Sequence, residues 1–132
     1  MKKILILFVC TFYTNVLFSQ TSTRLTNEMP VEYETVQTKP VFPSGIGEFM
    51  KFVMKNYQVP SSEEEEEIAT GTLEVSIVIG VDGSISKINI LKEVGNAGKE
   101  VKRVLEKCPK WTPGSQNGVN VPVVYNFPIK IQ

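Results

Sequence analysis

The 132-residue chain balances 14 basic residues against 14 acidic ones, contains no histidine and carries only two cysteines. That length supports one compact domain with short tails. The missing histidine removes the usual general base and most zinc sites. Without a basic excess, the chain also lacks the electrostatic footprint of a nucleic-acid binder.

Met1-Lys2-Lys3 gives a positive start, residues 4–12 run apolar, and Ser19 supplies a small residue shortly afterwards. This pattern predicts a secretory signal over residues 1–20, cleaved at Ser19–Gln20 or Gln20–Thr21. The apolar run is short against the roughly 20 residues that a spanning helix needs. An uncleaved membrane anchor is the alternative. Cys10 follows the bulky Val9 and a short apolar lead, which argues for an ordinary signal-peptide cysteine rather than a lipid attachment site. Loss of Lys2 and Lys3 with the signal would leave 12 basic residues against 14 acidic ones, a mildly acidic mature protein. Cys108 would then stand alone and could not form an internal disulfide.

Residues 21–39 are polar, hold no sustained period and read as a flexible leader reaching at most roughly 65 Å. The domain proper is expected over residues 40–132. Pro40 and Pro43 fix an extended lead-in. Ser44 is the expected cap of a helix running from about Ile46 to Tyr57, with Phe49, Met50, Val53 and Met54 on its apolar side. Val59-Pro60 ends it. The five acids Glu63 to Glu67 read as a solvated run, because like charges repel and stay wet. They lack the alternating ligands and turn glycine of a calcium loop.

From Gly71 the period changes to two. Leu73, Val75, Ile77 and Ile79 alternate with more polar neighbours, so a half-buried strand is expected. Asp82-Gly83 turns the chain into a second, antiparallel strand carrying Ile88 and Ile90. Ile85 is out of phase with them, which predicts a bulge or a turn contact. A second helix is expected over about Lys99 to Lys107, with Val101, Val104, Leu105 and Cys108 on one face. Pro109 stops it, and Cys108 reads as a small buried hydrophobe. The last strand is expected to run unbroken from Val119 to Ile131 with apolar odd positions. Pro122 and Pro128 exclude it from mid-sheet and place it at an edge, since proline has no amide hydrogen for a neighbour. Such an edge is either defended against pairing or used for it.

Other chemistry is thin. Cys108 has no histidine partner, no serine sits in a nucleophile elbow, and Gly45-Ile46-Gly47 follows no strand that would make it a phosphate loop. Nothing selects a catalytic pair among the fourteen acids. No enzyme activity, cofactor or metal is expected.

The order of these features resembles a known family. Gly71, Leu73, Val75, Ile77 and Ile79, followed by Asp82, Gly83, Ile85 and Ile88, resemble the opening hairpin of the TonB C-terminal domain. Lys107-Cys108-Pro109-Lys110-Trp111-Thr112-Pro113-Gly114 is similar to that family's helix end and aromatic-x-Pro-Gly turn. Asn117-Gly118 and the final strand complete the order. Pro40 to Gly45 and Asn56-Tyr57 with Pro60 are similar to the lead-in of Bacteroidetes-type members. The resemblance implies an α+β fold, with a three-stranded antiparallel sheet ordered strand, strand, helix, strand and an additional N-terminal helix packed on it.

It also implies a periplasmic module that takes an extended peptide of an outer-membrane TonB-dependent receptor as an added strand beside its last strand. Transferred to this sequence, the binding edge would be Val121, Val123, Val124, Tyr125, Asn126 and Phe127. At the odd positions the side chains would fill the core, leaving the backbone to bind. A full TonB also has a membrane anchor that touches a proton-driven motor and a long proline-rich spacer. The leading segment here reads as cleavable, and residues 21–39 hold only Pro30. A released binding module is therefore the first expectation. A short anchored energy transducer and a structural module that dimerises through its edge strand are the alternatives.

Overall fold

The computed structural model describes residues 29–59 and 69–132. The expected signal over residues 1–20 and the acidic run Glu63 to Glu67 lie outside them. In chain order the elements are β1 (Val31–Glu32), α1 (Ile46–Asn56), β2 (Gly71–Ile79), β3 (Ile85–Lys92), α2 (Ala97–Glu106), β4 (Ser115–Gln116), β5 (Val119–Asn120) and β6 (Val123–Ile131). The main sheet is ordered β1-β6-β2-β3, and β4 and β5 form a separate small hairpin. The α+β class and the strand, strand, helix, strand order stand as expected.

The sheet has four strands rather than three, because β1 joins it parallel to β6, with Val31 opposite Val123 and Glu32 opposite Val124. Part of the segment expected as a flexible leader thus packs on the domain. Val36 is buried there with Val121 and Val123, and Val31 and Tyr33 pack against them. The chain then runs along the loop before β4, with isolated bridges joining Thr38 to Ser115 and Val41 to Thr112.

The alternation read from the sequence places the core. Leu73, Val75, Ile77 and Ile79 of β2 are fully buried, as are Val123 and Ile129 of β6, or nearly so. Phe49 and Val53 of α1, and Val101, Val104 and Leu105 of α2, close the same face. Burying each such side chain stabilises the fold by roughly 1.5–3 kcal/mol relative to exposure. An aromatic cluster joins α1 to the sheet: the Phe49 ring centroid lies 4.9 Å from Trp111, 5.1 Å from Phe127 and 5.4 Å from Phe42.

Several local expectations change. Ser44 does not cap α1: it takes φ 68, Gly45 occupies the cap position, and no side chain caps the helix. The turn that places Gly45 there is closed by the backbone, with the Gly45 amide donating to the Phe42 carbonyl at 2.7 Å. The α2 helix starts at Ala97 rather than Lys99. Glu93 reaches across its start, accepting the amide hydrogens of Val94 at 3.0 Å and Gly98 at 2.7 Å. The final strand is broken. Residues Asn117 and Gly118 both take positive φ (50 and 74) and fold Ser115–Gln116 onto Val119–Asn120, the geometry of a two-residue hairpin turn. Residues 121 and 122 lie in neither strand, and the Val121 amide donates to the Gly114 carbonyl at 3.0 Å.

Two expectations about turns agree with the structure. The β2–β3 register shifts between Val78 and Ile79, where Ile85 falls out of phase. Gly83 takes φ 84 with its backbone pressed against Trp111, whose amide donates to the Gly83 carbonyl at 2.8 Å. A β-carbon there would overlap the Trp111 carbonyl oxygen.

Candidate functional site

The last strand has two sides with different fates. Every residue of β6 from Val123 to Ile131 pairs in unbroken antiparallel register with β2, from Ile79 back to Gly71. On the other side, the Val31 amide donates to the Pro122 carbonyl and the Tyr33 amide donates to the Val124 carbonyl, each at 2.9 Å. Peptide groups of successive strand residues point alternately left and right. The even-numbered residues therefore aim away from β2. Asn126, Pro128 and Lys130 continue that outward row where β1 no longer follows.

This geometry explains the prolines. Both Pro122 and Pro128 occupy outward positions, where a missing amide hydrogen costs the β2 ladder nothing. It also changes the reading of the edge. The odd residues Val123, Tyr125 and Phe127 spend their peptide groups on β2, so their backbone is not free to bind. Val121 lies before the strand, with its amide bonded to Gly114. Among the six residues expected at the edge, Val124 and Asn126 alone turn their peptide groups outward. Pro128 and Lys130 belong to the same row and were missed. Their signal was the even spacing of the two prolines.

The side chains divide in the same way. Val123 and Phe127 are buried, and Tyr125 is partly buried against the core. Burial and the neighbouring Tyr33 and Glu34 push the Tyr125 hydroxyl pKa above the ordinary tyrosine value. The Tyr125 ring is stacked with Phe127 at 5.2 Å between centroids and meets Tyr33 at 4.5 Å. Asn126, Pro128 and Lys130 are exposed on the face that no helix covers.

The opposite edge of the sheet is less regular. The β3 register shifts twice against β2, between Glu74 and Val75 and again between Val78 and Ile79, and Lys87 and Lys92 are exposed along it. Bulges and edge lysines are devices that discourage strand addition.

Cys108 is half-buried. Burial raises its thiol pKa, an effect partly offset by the Trp111 indole. That indole N–H is itself buried without a hydrogen-bond partner of good geometry.

Two helices cover one face of a small sheet, and beyond β1 the outward side of β6 has no strand beside it. The family model described as Gram-negative bacterial TonB protein C-terminal matches residues 60–130, more than half of the chain. The chain belongs to that family. Searches of curated proteins and of solved structures found no match. The family assignment makes the chain a TonB-like module associated with TonB-dependent transport, of a family whose domains interact with outer-membrane receptors and are not enzymes. Among the described residues no helix is long and apolar enough to cross a membrane.

Proposed function

We propose that this chain is a periplasmic binding module that takes an extended peptide of an outer-membrane TonB-dependent receptor as an added strand on β6. The observation behind this reading is the outward row on that strand. Asn126, Pro128 and Lys130 follow Val124 along a strand in unbroken register with β2. Unpaired peptide groups in a straight row are a template for a further strand. The twice-bulged β3 edge offers a poorer one.

In this reading main-chain hydrogen bonds supply affinity and resistance to pulling, and alternate side chains supply selectivity. Within the edge first expected, Val124 and Asn126 contribute peptide groups, Tyr125 and Phe127 hold the strand to the core, and Val121 and Val123 anchor its start. A second copy pairing edge to edge would use the same groups, but Pro128 and exposed Lys130 work against a long self-complementary ladder.

Titration of the folded protein with eight-residue peptides, tiled across the periplasm-facing N-terminal segments of TonB-dependent receptors, tests this. Saturable binding is expected for at least one peptide. Asn126→Pro should abolish it, while Asn126→Ala, which keeps the peptide group, should retain it. Absence of binding by every peptide, or binding untouched by Asn126→Pro, contradicts the proposal. Light scattering across concentration separates a monomer from an edge-to-edge dimer.

A further inference from the structure

The chain itself already occupies one end of the outward row. Residues Val31 and Tyr33 donate to Pro122 and Val124, and the chain then turns away, with the Thr35 and Val36 amides both donating to the Glu32 carbonyl at 3.0 Å. We propose that residues 31–33 are a displaceable clip, and that a partner strand competes with them for Val124. This inference rests on the proposed use of the β6 edge and concerns its regulation.

Three observations support it. The first is how little holds the clip. β1 is two residues long, Glu32 is exposed, and Val31 and Tyr33 are only partly buried. Both belong to the small cluster around Val36, Val121 and Val123 rather than to the main core.

The second is the anchor directly behind it. Val36 is 4% exposed, and the bridges from Thr38 to Ser115 and from Val41 to Thr112 fix the chain beyond. Residues 31–35 can therefore leave the edge about Val36 without opening the main core.

The third is the mismatch in length. The clip engages only the Pro122–Val124 end of a row that continues through Asn126 and Pro128 to Lys130. A longer strand would satisfy the whole row. Against displacement stand the contact of the Tyr33 ring with Tyr125 and the Lys39 ammonium 5.4 Å from the Tyr33 ring centroid. Release of Tyr33 would uncover one face of Tyr125 to the incoming peptide.

The test uses the full chain and the same tiled receptor peptides. Val31→Pro removes the donor to Pro122, and Tyr33→Ala removes the ring contact; tryptophan fluorescence from Trp111 checks that each variant is folded. If a competing clip holds part of the population closed, each variant should bind the peptide more tightly, by about five-fold. In the unaltered chain, saturating peptide should speed hydrogen exchange at the Tyr33 amide. Equal affinity in all three proteins with unchanged Tyr33 protection overturns the clip and leaves the edge reading standing. Failure of every peptide to bind any of the three overturns both.

Discussion

Pro128 stands directly opposite Glu74 in the β2–β6 ladder without removing a hydrogen bond from it. The reason is parity. Val124, four residues earlier, receives its hydrogen bond from Tyr33 on the far side, so even-numbered peptide groups of β6 face away from β2. Proline is tolerated at such a position and costly one residue to either side.

Parity gives the first prediction. Asn126→Pro should cost within about 1 kcal/mol of Asn126→Ala, because its amide is not used by β2. Phe127→Pro should cost about 3 kcal/mol more than Phe127→Ala, because it removes a ladder bond as well as the ring. Urea unfolding of the four variants measures both differences. Equal proline penalties at the two positions would mean that the parity is wrong.

A second prediction concerns the turn between β2 and β3. Gly83→Ala forces a side chain onto φ 84 and into the Trp111 carbonyl. The combined strain and overlap should cost about 3 kcal/mol or more, visible as a large fall in urea midpoint. A change within experimental error would show that the Gly83–Trp111 approach is looser than described.

The start of α2 supplies a third. The Glu93 carboxylate accepts the Gly98 amide hydrogen, and the absence of a β-carbon on Gly98 makes room for it. Glu93→Ala should destabilise the fold by about 1 kcal/mol, the usual worth of a helix cap. Asn96→Ala should cost less, since that side chain makes no cap bond.

Acid should weaken the junction between the helices. Glu100 accepts hydrogen bonds from Arg103 at 2.9 Å and from the Gln58 amide at 3.1 Å, and Arg103 also donates to the Asn56 carbonyl at 3.2 Å. The Arg103 hydrogen bond foremost, with Gln58 assisting, holds the Glu100 carboxyl below the ordinary glutamate range. A lowered folded-state pKa means that the unfolded chain takes up the proton first. The contribution is therefore complete above the unfolded pKa, about 4.3, and is lost as pH falls through the lower folded value. Glu100→Gln should be less stable than the parent at pH 7, modestly because the pair is partly solvent-exposed. The gap in melting temperature should shrink as the solution is acidified. A gap independent of pH would assign the effect to packing.

Much of this architecture was legible in the residues. The period-two runs around Val75 and Ile88, the Asp82-Gly83 turn and the helical face of Val101, Val104 and Leu105 are local signals, and each is found where it was expected. Pro122 and Pro128 read as the mark of an edge strand; β6 instead lies between β1 and β2, and the prolines mark only its side away from β2. What escaped was set by distant partners. Val31 and Glu32 have no period to read and become a strand only because Val123 and Val124 lie beside them. Ser44 looked like a cap, but the backbone turn placed Gly45 there instead. The hairpin turn at Asn117-Gly118 escaped the sequence reading, and the alternating apolar pattern after it hid the break at Pro122. The direction of the peptide groups was half-legible: alternation tells which side chains are buried, and only the parity of the prolines tells which amides face out.

We propose that a partner strand pairs with the even-numbered peptide groups of β6. Residue-resolved amide hydrogen exchange, with and without a saturating receptor peptide, measures this directly. The amides of Asn126 and Lys130 should become protected on binding, while those of Tyr125, Phe127 and Ile129, already bonded to β2, should change little. Protection gained along β3 instead, or no change at Asn126 and Lys130 when the peptide is bound, would contradict the account.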